Sequence, residues 1–433
     1  MNNTRTLTGT INTLLLLGCL LLACKDNGTE PPPIPERIKL AMIDVAVKEA
    51  YLHIAVSNPT SNETFSLQRD GVTVLTFPAV ADTIIADTAL TQTTTYQYTA
   101  RLSANNETTG TGNTISARTL APTSHNFTWQ TFLMGDGNGS ALYDVALIND
   151  TLAYAVGEIY LSGDPLPYNL ARWNGQSWTL QRVTVMFRGS TITPTLYGIF
   201  TISSTDIWLA AGMAIRGDGT NWIGHDVRTI TGYDTLSFTR CWGRSSSGMY
   251  FVGLAGSLAY FSNGTWQRLE SGTRTSILDV WGIANPVTGQ EDVYSAVSSF
   301  FEQGDKRILK ITDNTRVDSL RWQPNRLLNA VWTNRGRPLF TAGDGVFENV
   351  SGGPCRELNI GATIYTNRIR GTGLNNIIVV GDFGLIAHYS GLDWQIIGYD
   401  YDAGWGSVAV TNDFIVAVGN KNGRGLVTIG RRL

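Results

Sequence analysis

Residues 252–266 read VGLAGSLAYFSNGTW, and this stretch decides the fold. An apolar run ends at Gly253, a Gly-containing link follows, and a second run leads into Asn263-Gly264. Asn-Gly supplies the positive φ angles that a tight hairpin needs, so another strand follows at once and carries Trp266. The stretch therefore predicts three short antiparallel strands in succession.

The same unit recurs along the rest of the chain. Seven copies open with an apolar first strand, at Leu142–Val145, Leu196–Ile199, Phe238–Cys241, Ile277–Val280, Leu328–Val331, Thr366–Ile369 and Trp405–Val408. The second strands end near Gly in every copy but the fourth, and six steps from Gly157 to Gly419 span 262 residues, about 44 each. A period of about 40–50 residues with four short strands per unit predicts a seven-bladed β-propeller over residues 126–433.

The last copy lacks a fourth strand, because the sequence stops at Leu433. A spare strand lies before the first copy, at residues 127–133, and it carries Trp129. We expect this strand to pair with the last blade and close the ring, which removes the exposed sheet edges that invite aggregation.

Two of the copies carry a Val-Gly-x-x-Gly link between the second and third strands. The segments are Val252–Gly256 and Val380–Gly384. In this respect the repeats resemble propellers of the photosystem II assembly factor and neuraminidase-repeat type. The resemblance covers about 300 residues and implies the fold, whereas function has to be argued from the site.

The composition agrees with an all-β protein. Charged residues make up 15% of the chain, Gly occurs 46 times, and Trp, Tyr and Phe are frequent. The net charge of −3 gives no basic footprint, so we expect no nucleic-acid partner. The 42% of hydrophobic residues argues against a disordered chain.

Residues 36–120 predict a separate β-sandwich of about seven short strands. Leu90, Thr94 and Tyr96 match the Leu-x-Pro-x-Thr-x-Tyr corner of fibronectin type III domains, with Gln92 in place of Pro. This resemblance implies that the Tyr96 hydroxyl bonds to backbone upstream, and that Tyr51 or Ile54 fills the space of a missing core Trp. No chemistry is evident here, and we interpret the domain as a rigid spacer.

The N-terminal residues predict a targeting segment and not a part of the folded protein. A short apolar core ends in Leu21–Cys24, which resembles the lipobox of bacterial lipoproteins. The resemblance implies a signal peptide at residues 1–23, lipid on Cys24, and a Pro-rich tether at residues 24–35. Several acyl chains anchor a protein stably, so we expect a lipid-anchored protein of the bacterial outer membrane, facing the periplasm or the cell surface.

Two columns of residues on the first strands are the candidate ligand rim. The first column is Asp144, Gly198, Arg240, Asp279, Ala330, Arg368 and Ser407; the second includes Trp242, Trp281, Trp332 and Arg370. The charges of the first column either surround a polar ligand or pair with one another across the channel, and we favour pairing. The tryptophans either stack on sugars or pack between blades, and we favour packing.

Catalytic motifs are mostly absent. No nucleophile elbow, phosphate loop or dinucleotide fingerprint occurs, and the four His show no metal-ligand spacing. No cofactor is expected, although Asp136–Ser140 resembles the start of a calcium loop without its closing carboxylate. A sialidase needs an arginine triad, which could be supplied by Arg240, Arg368 and Arg370. The Asp-box of such enzymes, however, does not occur complete in the sequence. Asp400–Asp402 matches the Asp-x-Asp of glycosyltransferases, without the α/β domain in which that motif works.

The sequence therefore favours a non-catalytic binding or scaffold module for a glycan, peptide or protein partner. The alternative is a carbohydrate-active enzyme, either a glycosidase of sialidase-like type or a protein labelled as a glycosyltransferase, that uses the axial face of the propeller. A third hypothesis is that the protein is a structural subunit of an envelope assembly.

Overall fold

The computed structural model describes residues 33–137, 139–232, 235–299, 304–320, 322, 324–350 and 354–433. The predicted signal peptide at residues 1–23, the lipidation site Cys24 and most of the tether lie outside these ranges. No helix within them is long and apolar enough to cross a membrane.

Seven four-stranded antiparallel sheets follow one another around a ring. The first strands of neighbouring sheets contact each other all the way round, including the last with the first, so they form the innermost layer. The strands of blade one are Ala141–Asn149, Leu152–Ile159, Tyr168–Trp173 and Trp178–Gln181, and those of blade two are Gly198–Ser203, Asp206–Ala210, Ala214–Gly217 and Trp222–His225. Blade three consists of Ser237–Ser245, Gly248–Leu254, Leu258–Ser262 and Thr265–Arg268. Blade four consists of Ile277–Ala284, Glu291–Ser298, Lys306–Thr312 and Arg316–Leu320.

The remaining blades have the same order. Blade five consists of Leu328–Trp332, Leu339–Gly343, Gly345–Asn349 and Arg356–Leu358. Blade six consists of Thr366–Gly373, Asn376–Gly381, Ile386–Tyr389 and Trp394–Gly398. Blade seven consists of Ala403–Val410, Phe414–Lys421, Arg424–Arg432 and Phe127–Met134. A short hairpin, Val185–Phe187 with Ser190–Ile192, precedes blade two, and a helix, Val227–Thr231, follows it. The architecture is a seven-bladed β-propeller.

The ring is closed by a strand from the other end of the propeller. Phe127–Met134 pairs antiparallel with Arg424–Arg432, and Trp129 lies opposite Gly430. This is the strand that the sequence assigned to the last blade, with one more residue at its end. The seventh blade therefore joins the two ends of the propeller by backbone hydrogen bonds.

A β-bulge interrupts the innermost strand of six blades at the same place. The register shifts lie between Leu142 and Asp144, Phe238 and Arg240, Ile277 and Asp279, Leu328 and Ala330, Thr366 and Arg368, and Trp405 and Ser407. A bulge re-aims the residues that follow it. In these six blades, the first rim column therefore occupies one structural position.

The repeated Gly of the second strand lies opposite this bulge. A Cβ at Gly253 would collide with the carbonyl oxygen of Ser237, and one at Gly419 with that of Gly404. At these positions the Gly is needed because the bulged backbone approaches closely, whereas Gly212 of blade two, which has no such bulge, has a φ angle of +69°.

The first domain contains eight strands rather than seven. They are Glu36–Val45, Ala50–Val56, Thr64–Arg69, Val72–Pro78, Asp82–Asp87, Thr95–Ala104, Glu107–Gly112 and Ile115–Arg118. Leu52, Ile54, Phe65 and Tyr98 are fully buried in their core. The Tyr96 hydroxyl accepts a 2.9 Å hydrogen bond from the backbone N–H of Thr91, which is the upstream contact expected of this position.

This domain packs directly against blades five and six. Ile43, Ala46 and Tyr51 belong to one buried cluster with Phe340 and Leu374 of the propeller. Tyr51 therefore packs towards the propeller, whereas Ile54 lies in the core of its own domain. One buried apolar cluster thus spans both domains, so the first domain contributes more than spacing.

Two polar contacts fix the same junction. Both carboxylate oxygens of Asp44 accept hydrogen bonds from Asn334 Nδ2, at 3.1 and 2.9 Å. Asp44 is 5% exposed, and this burial raises its pKa to about 6. The Asn375 side chain also donates a 2.7 Å hydrogen bond to the carbonyl oxygen of Ala121 in the connecting segment.

Candidate binding site at the centre of the propeller

Asp279 is held by two arginines at the axis of the ring. Its Oδ1 lies 2.5 Å from Arg368 Nη1 and 2.8 Å from Arg370 Nη2, while Oδ2 lies 2.9 Å from Arg370 Nη1. The backbone N–H of Val331 donates a further 3.1 Å hydrogen bond to Oδ2. These contacts connect blades four, five and six.

Asp279 and Arg368 are each 1% exposed. Burial alone would raise the pKa of Asp279, but the charges of Arg368 and Arg370 lower it below its usual range. Burial lowers the pKa of Arg368 to about 10. Because each group is costly to bury without its partner, the clamp holds both of them charged.

Asp144 makes the equivalent contacts on the other side of the axis. Its Oδ2 accepts a 3.1 Å hydrogen bond from the backbone N–H of Ile199, and Oδ1 accepts a 2.6 Å hydrogen bond from Ser407 Oγ. As with Asp279, a carboxylate after the bulge binds backbone of the next blade. Opposite charges of the first column thus pair at Asp279 and Arg368, whereas Asp144 is bound by a hydroxyl and a backbone N–H.

Arg240 differs from the other two arginines. Its Nη1 donates to the carbonyl oxygens of Tyr197, at 2.5 Å, and Thr239, at 2.8 Å, instead of to a carboxylate. Its buried Nε has no hydrogen-bond partner among the described residues. Arg240 therefore carries a positive charge that the described part of the ring does not neutralise by direct contact.

These side chains surround an open central cavity of about 240 Å³. Asp144, Arg240, Asp279, Arg370 and Ser407 supply its polar groups. Phe200, Trp242 and Trp281 supply aromatic surface. Cavities with apolar walls and a few converging polar groups are the usual form of binding sites in proteins.

The three tryptophans of the second column do not share one environment. Trp242 is 5% exposed and its ring covers Gly282, while Trp332 is 1% exposed and covers Gly371. Trp281 donates a 2.9 Å hydrogen bond to the carbonyl oxygen of Thr333. Trp242 and Trp332 thus pack between blades.

Trp281 also meets a rim arginine. The Arg370 guanidinium lies 4.8 Å from the centroid of the Trp281 ring, within the range of a cation–π contact. One arginine therefore binds a carboxylate and an aromatic face together, which holds it in position beside the cavity.

The other motifs from the sequence lie away from this cavity. Asp136 Oδ2 accepts a hydrogen bond from the backbone N–H of Ser162, and Asn138 of the proposed calcium loop lies outside the described residues. Asp400 binds Lys421 Nζ at 2.6 Å. Over the described ranges, no group of three or more His, Cys, Asp or Glu side chains is arranged to hold a metal ion.

Sequence reasoning missed a histidine pair. His125 and His388 lie 263 residues apart, yet their Nδ1 atoms are 2.8 Å from each other. His388 is fully buried and also contacts Asn376 Oδ1 at 3.1 Å. The spacing of the histidines gave no sign of this contact, because it depends on how the connecting segment runs beside blade six.

No protein-family model matches the chain, and no curated protein matches it. Solved propeller structures do match. The structure of YCF48 bound to a D1 peptide aligns with a TM-score of 0.51 at 12% identity, over 72% of this chain and 97% of that chain. YCF48 from Cyanidioschyzon merolae gives 0.51 at 12% identity, over 70% and 98%.

The WD40 β-propeller domain of Doa1 aligns with a TM-score of 0.50 at 13% identity, over 70% of this chain and 97% of that chain. At such identities the likeness shows the fold alone. This chain carries a seven-bladed β-propeller similar to that of YCF48.

Proposed function

We propose that this chain is a lipid-anchored binding module of the bacterial cell envelope, which holds a peptide or protein partner in the central cavity of its propeller. The observation that carries the proposal is Arg240, which lines the cavity and donates to backbone oxygens instead of to a carboxylate. An acidic group of a partner supplies the missing counter-charge.

Charge pairing at the axis supports this choice of ligand chemistry. Asp279 occupies Arg368 and Arg370, whereas Asp144 is bound by Ser407 and backbone. Arg240 is thus the rim arginine available for a carboxylate, and charge-assisted hydrogen bonds of this kind are the strong ones. YCF48 has been solved with a D1 peptide, so a propeller of similar fold holds a peptide.

Two contacts weigh against the carbohydrate-active alternative. Two arginines of the would-be triad are bound to Asp279, and the rings of Trp242 and Trp332 are covered by neighbouring blades. The third tryptophan, Trp281, lines the cavity, but its ring is already in contact with the Arg370 guanidinium. A peptide or protein partner therefore suits the cavity better than a glycan.

The test is a pull-down of the full lipoprotein from its native membrane, followed by mass spectrometry. We expect one partner to be retained by the wild type and by Arg240→Lys, which keeps the charge, and lost from Arg240→Gln. Arg316→Gln is the matched control, since Arg316 is exposed on the outer strand of blade four. Recovery of a lone monomer, or equal retention by Arg240→Gln, contradicts the proposal.

We also propose that Cys24 carries the lipid, that residues 24–35 form the tether, and that residues 36–120 form a fibronectin type III-like domain. The lipobox and the Pro-rich segment support the first two, and the Tyr96 contact supports the third. Metabolic labelling with a clickable fatty acid tests the anchor in the outer membrane. Label on the wild type and none on Cys24→Ser is the expected result, and equal labelling refutes it.

A further inference from the structure

A second cavity lies where the first domain meets blades five and six. It measures about 370 Å³ and has walls from both domains. The first domain contributes Glu49 and Tyr51, blade five contributes Glu348, and blade six contributes Tyr389 and Trp394. This cavity is separate from the axial one, because no residue lines both.

Glu348 is the central group of this cavity. Phe340, Glu348 and Arg356 are directly opposite one another on three adjacent strands, so their side chains share one face of blade five. That face is the one against the first domain, since Phe340 belongs to the buried cluster that includes Tyr51. The strand register thus places the Glu348 carboxylate on the wall of the cavity.

The described residues bind one oxygen of this carboxylate, Oε2. Glu348 is 5% exposed, and both Arg356 contacts, one of them 3.0 Å from Nε, go to Oε2. Oε1 accepts no hydrogen bond from any residue that the structure describes. Oε1 is not fully enclosed, so a charged donor that enters the cavity can form a strong hydrogen bond with it.

The surrounding charges favour a cation. Three carboxylates line the cavity, from Glu49, Glu348 and Asp393, against the single guanidinium of Arg356. Burial raises the pKa of Glu348, and the negative charge of Glu49 raises it further, although Arg356 opposes both effects. The lining is therefore short of positive charge around a carboxylate oxygen to which no described residue donates.

Aromatic rings complete the walls. The Tyr389 and Trp394 rings lie 5.2 Å apart, and the hydroxyl of the buried Tyr51 donates to Glu49 Oε2. Aromatic faces beside carboxylates are the common environment for organic cations. Phe340 and Leu358 add apolar surface that an alkyl chain can cover.

We propose that this interdomain cavity binds a primary alkylammonium group, such as the side chain of a lysine, which donates a hydrogen bond to Glu348 Oε1 and lies against the rings of Tyr389 and Trp394. Since both domains supply walls, the ligand contacts the first domain and the propeller together. The proposal does not depend on the function of the axial cavity.

The experiment is calorimetric titration of the full chain, in detergent, with n-butylammonium, tetramethylammonium and butyrate. We expect n-butylammonium to bind, tetramethylammonium to bind several-fold more weakly because it has no N–H, and butyrate not to bind. Equal binding of the two cations overturns the hydrogen bond to Glu348. Absence of n-butylammonium binding, or preferred binding of butyrate, overturns the site.

Variants locate the site. Glu348→Gln should weaken n-butylammonium binding at least about ten-fold, because a charged hydrogen bond is lost. Glu357→Gln is the matched control: Glu357 lies on the neighbouring strand position, pairs with Arg326 and does not line the cavity. If Glu348→Gln proves misfolded by circular dichroism, Glu49→Gln takes its place, and an unchanged affinity in either folded variant contradicts the proposal.

Discussion

At the scale of single residues, the axis shows how a propeller keeps charged groups in its centre. Asp279 binds Arg368 and Arg370 across blade five, where the equivalent position is Ala330. Ala330 brings no charge of its own to this position, so the carboxylate of blade four pairs with the arginines of blade six.

Removal of the Asp279 charge is expected to destabilise the fold strongly. Asp279→Asn leaves Arg368 buried without its counter-ion, a change that typically costs about 3–5 kcal/mol in the free energy of unfolding. Chemical denaturation measures it. Asp318→Asn is the control, because Asp318 pairs with Arg316 at an exposed position and such pairs contribute about 0–1 kcal/mol. Equal losses in the two variants would refute the clamp.

His388 should make stability depend on pH. Burial, the charge of Arg432 and His125 lower its pKa to about 3, against about 6.5 when unfolded. The folded chain thus binds fewer protons than the unfolded chain between these values, and stability falls as the pH drops below about 6.5. We expect His388→Gln to have a shallower fall in melting temperature from pH 7 to pH 4, and identical slopes would contradict this.

Alignment of the repeats puts the charged column at one strand position, but it does not say which of its members pair. Aligning the repeats on their first strands put Asp144, Arg240, Asp279 and Arg368 at one position, and the bulge explains why. Pairing depends on side-chain length and on the small residues between blades. These are distances in space, which repeat spacing does not report.

At the scale of strands, the repeated Gly is explained by the strand beside it. The repeat indicated where the second strand ends, while the bulge on the first strand gives the physical reason for Gly there. Blade four keeps the bulge with Val297 at this position, opposite Ile277. The bulge alone therefore does not require Gly, and at Gly253 and Gly419 it is the close approach of the opposite carbonyl oxygen that does.

Gly419→Ala tests this explanation. Its Cβ would collide with the carbonyl oxygen of Gly404, so we expect a loss of about 1–3 kcal/mol in the free energy of unfolding, as for other overpacked sites. Gly404→Ala in the same blade is the control, because its Cβ would meet Asn420 Oδ1 at 3.8 Å, an ordinary contact. A larger loss in the control would contradict the role of the bulge.

At the scale of the whole molecule, the two domains share a core that the sequence did not reveal. Tyr51 lies in the strand Ala50–Val56, and Ala46 and Val47 precede that strand. Nothing in the spacing of these residues distinguishes a side chain that packs within the first domain from one that packs against the propeller. The prediction of a spacer rested on the first domain alone. The interdomain contact depends on where blades five and six lie, which the sequence of the first domain does not specify.

Val47→Glu should separate the domains. Val47 is fully buried, and its Cγ2 lies where a Cβ on Gly391 of blade six would be. A charge at this position is costly to bury, so we expect two calorimetric transitions in place of one and a larger radius of gyration by small-angle scattering. Val72→Glu, at a position 66% exposed in the same domain, should change neither. A single unchanged transition in Val47→Glu would contradict the docking.

The strand that completes blade seven has a consequence for how the protein is made. Phe127–Met134 leaves the ribosome long before Arg424–Arg432, so it waits without its partner while nearly all of the propeller is synthesised. The ring closes only after Arg424–Arg432 has been made and has paired with Phe127–Met134. Until then, blade seven keeps an unpaired edge to which another chain can add.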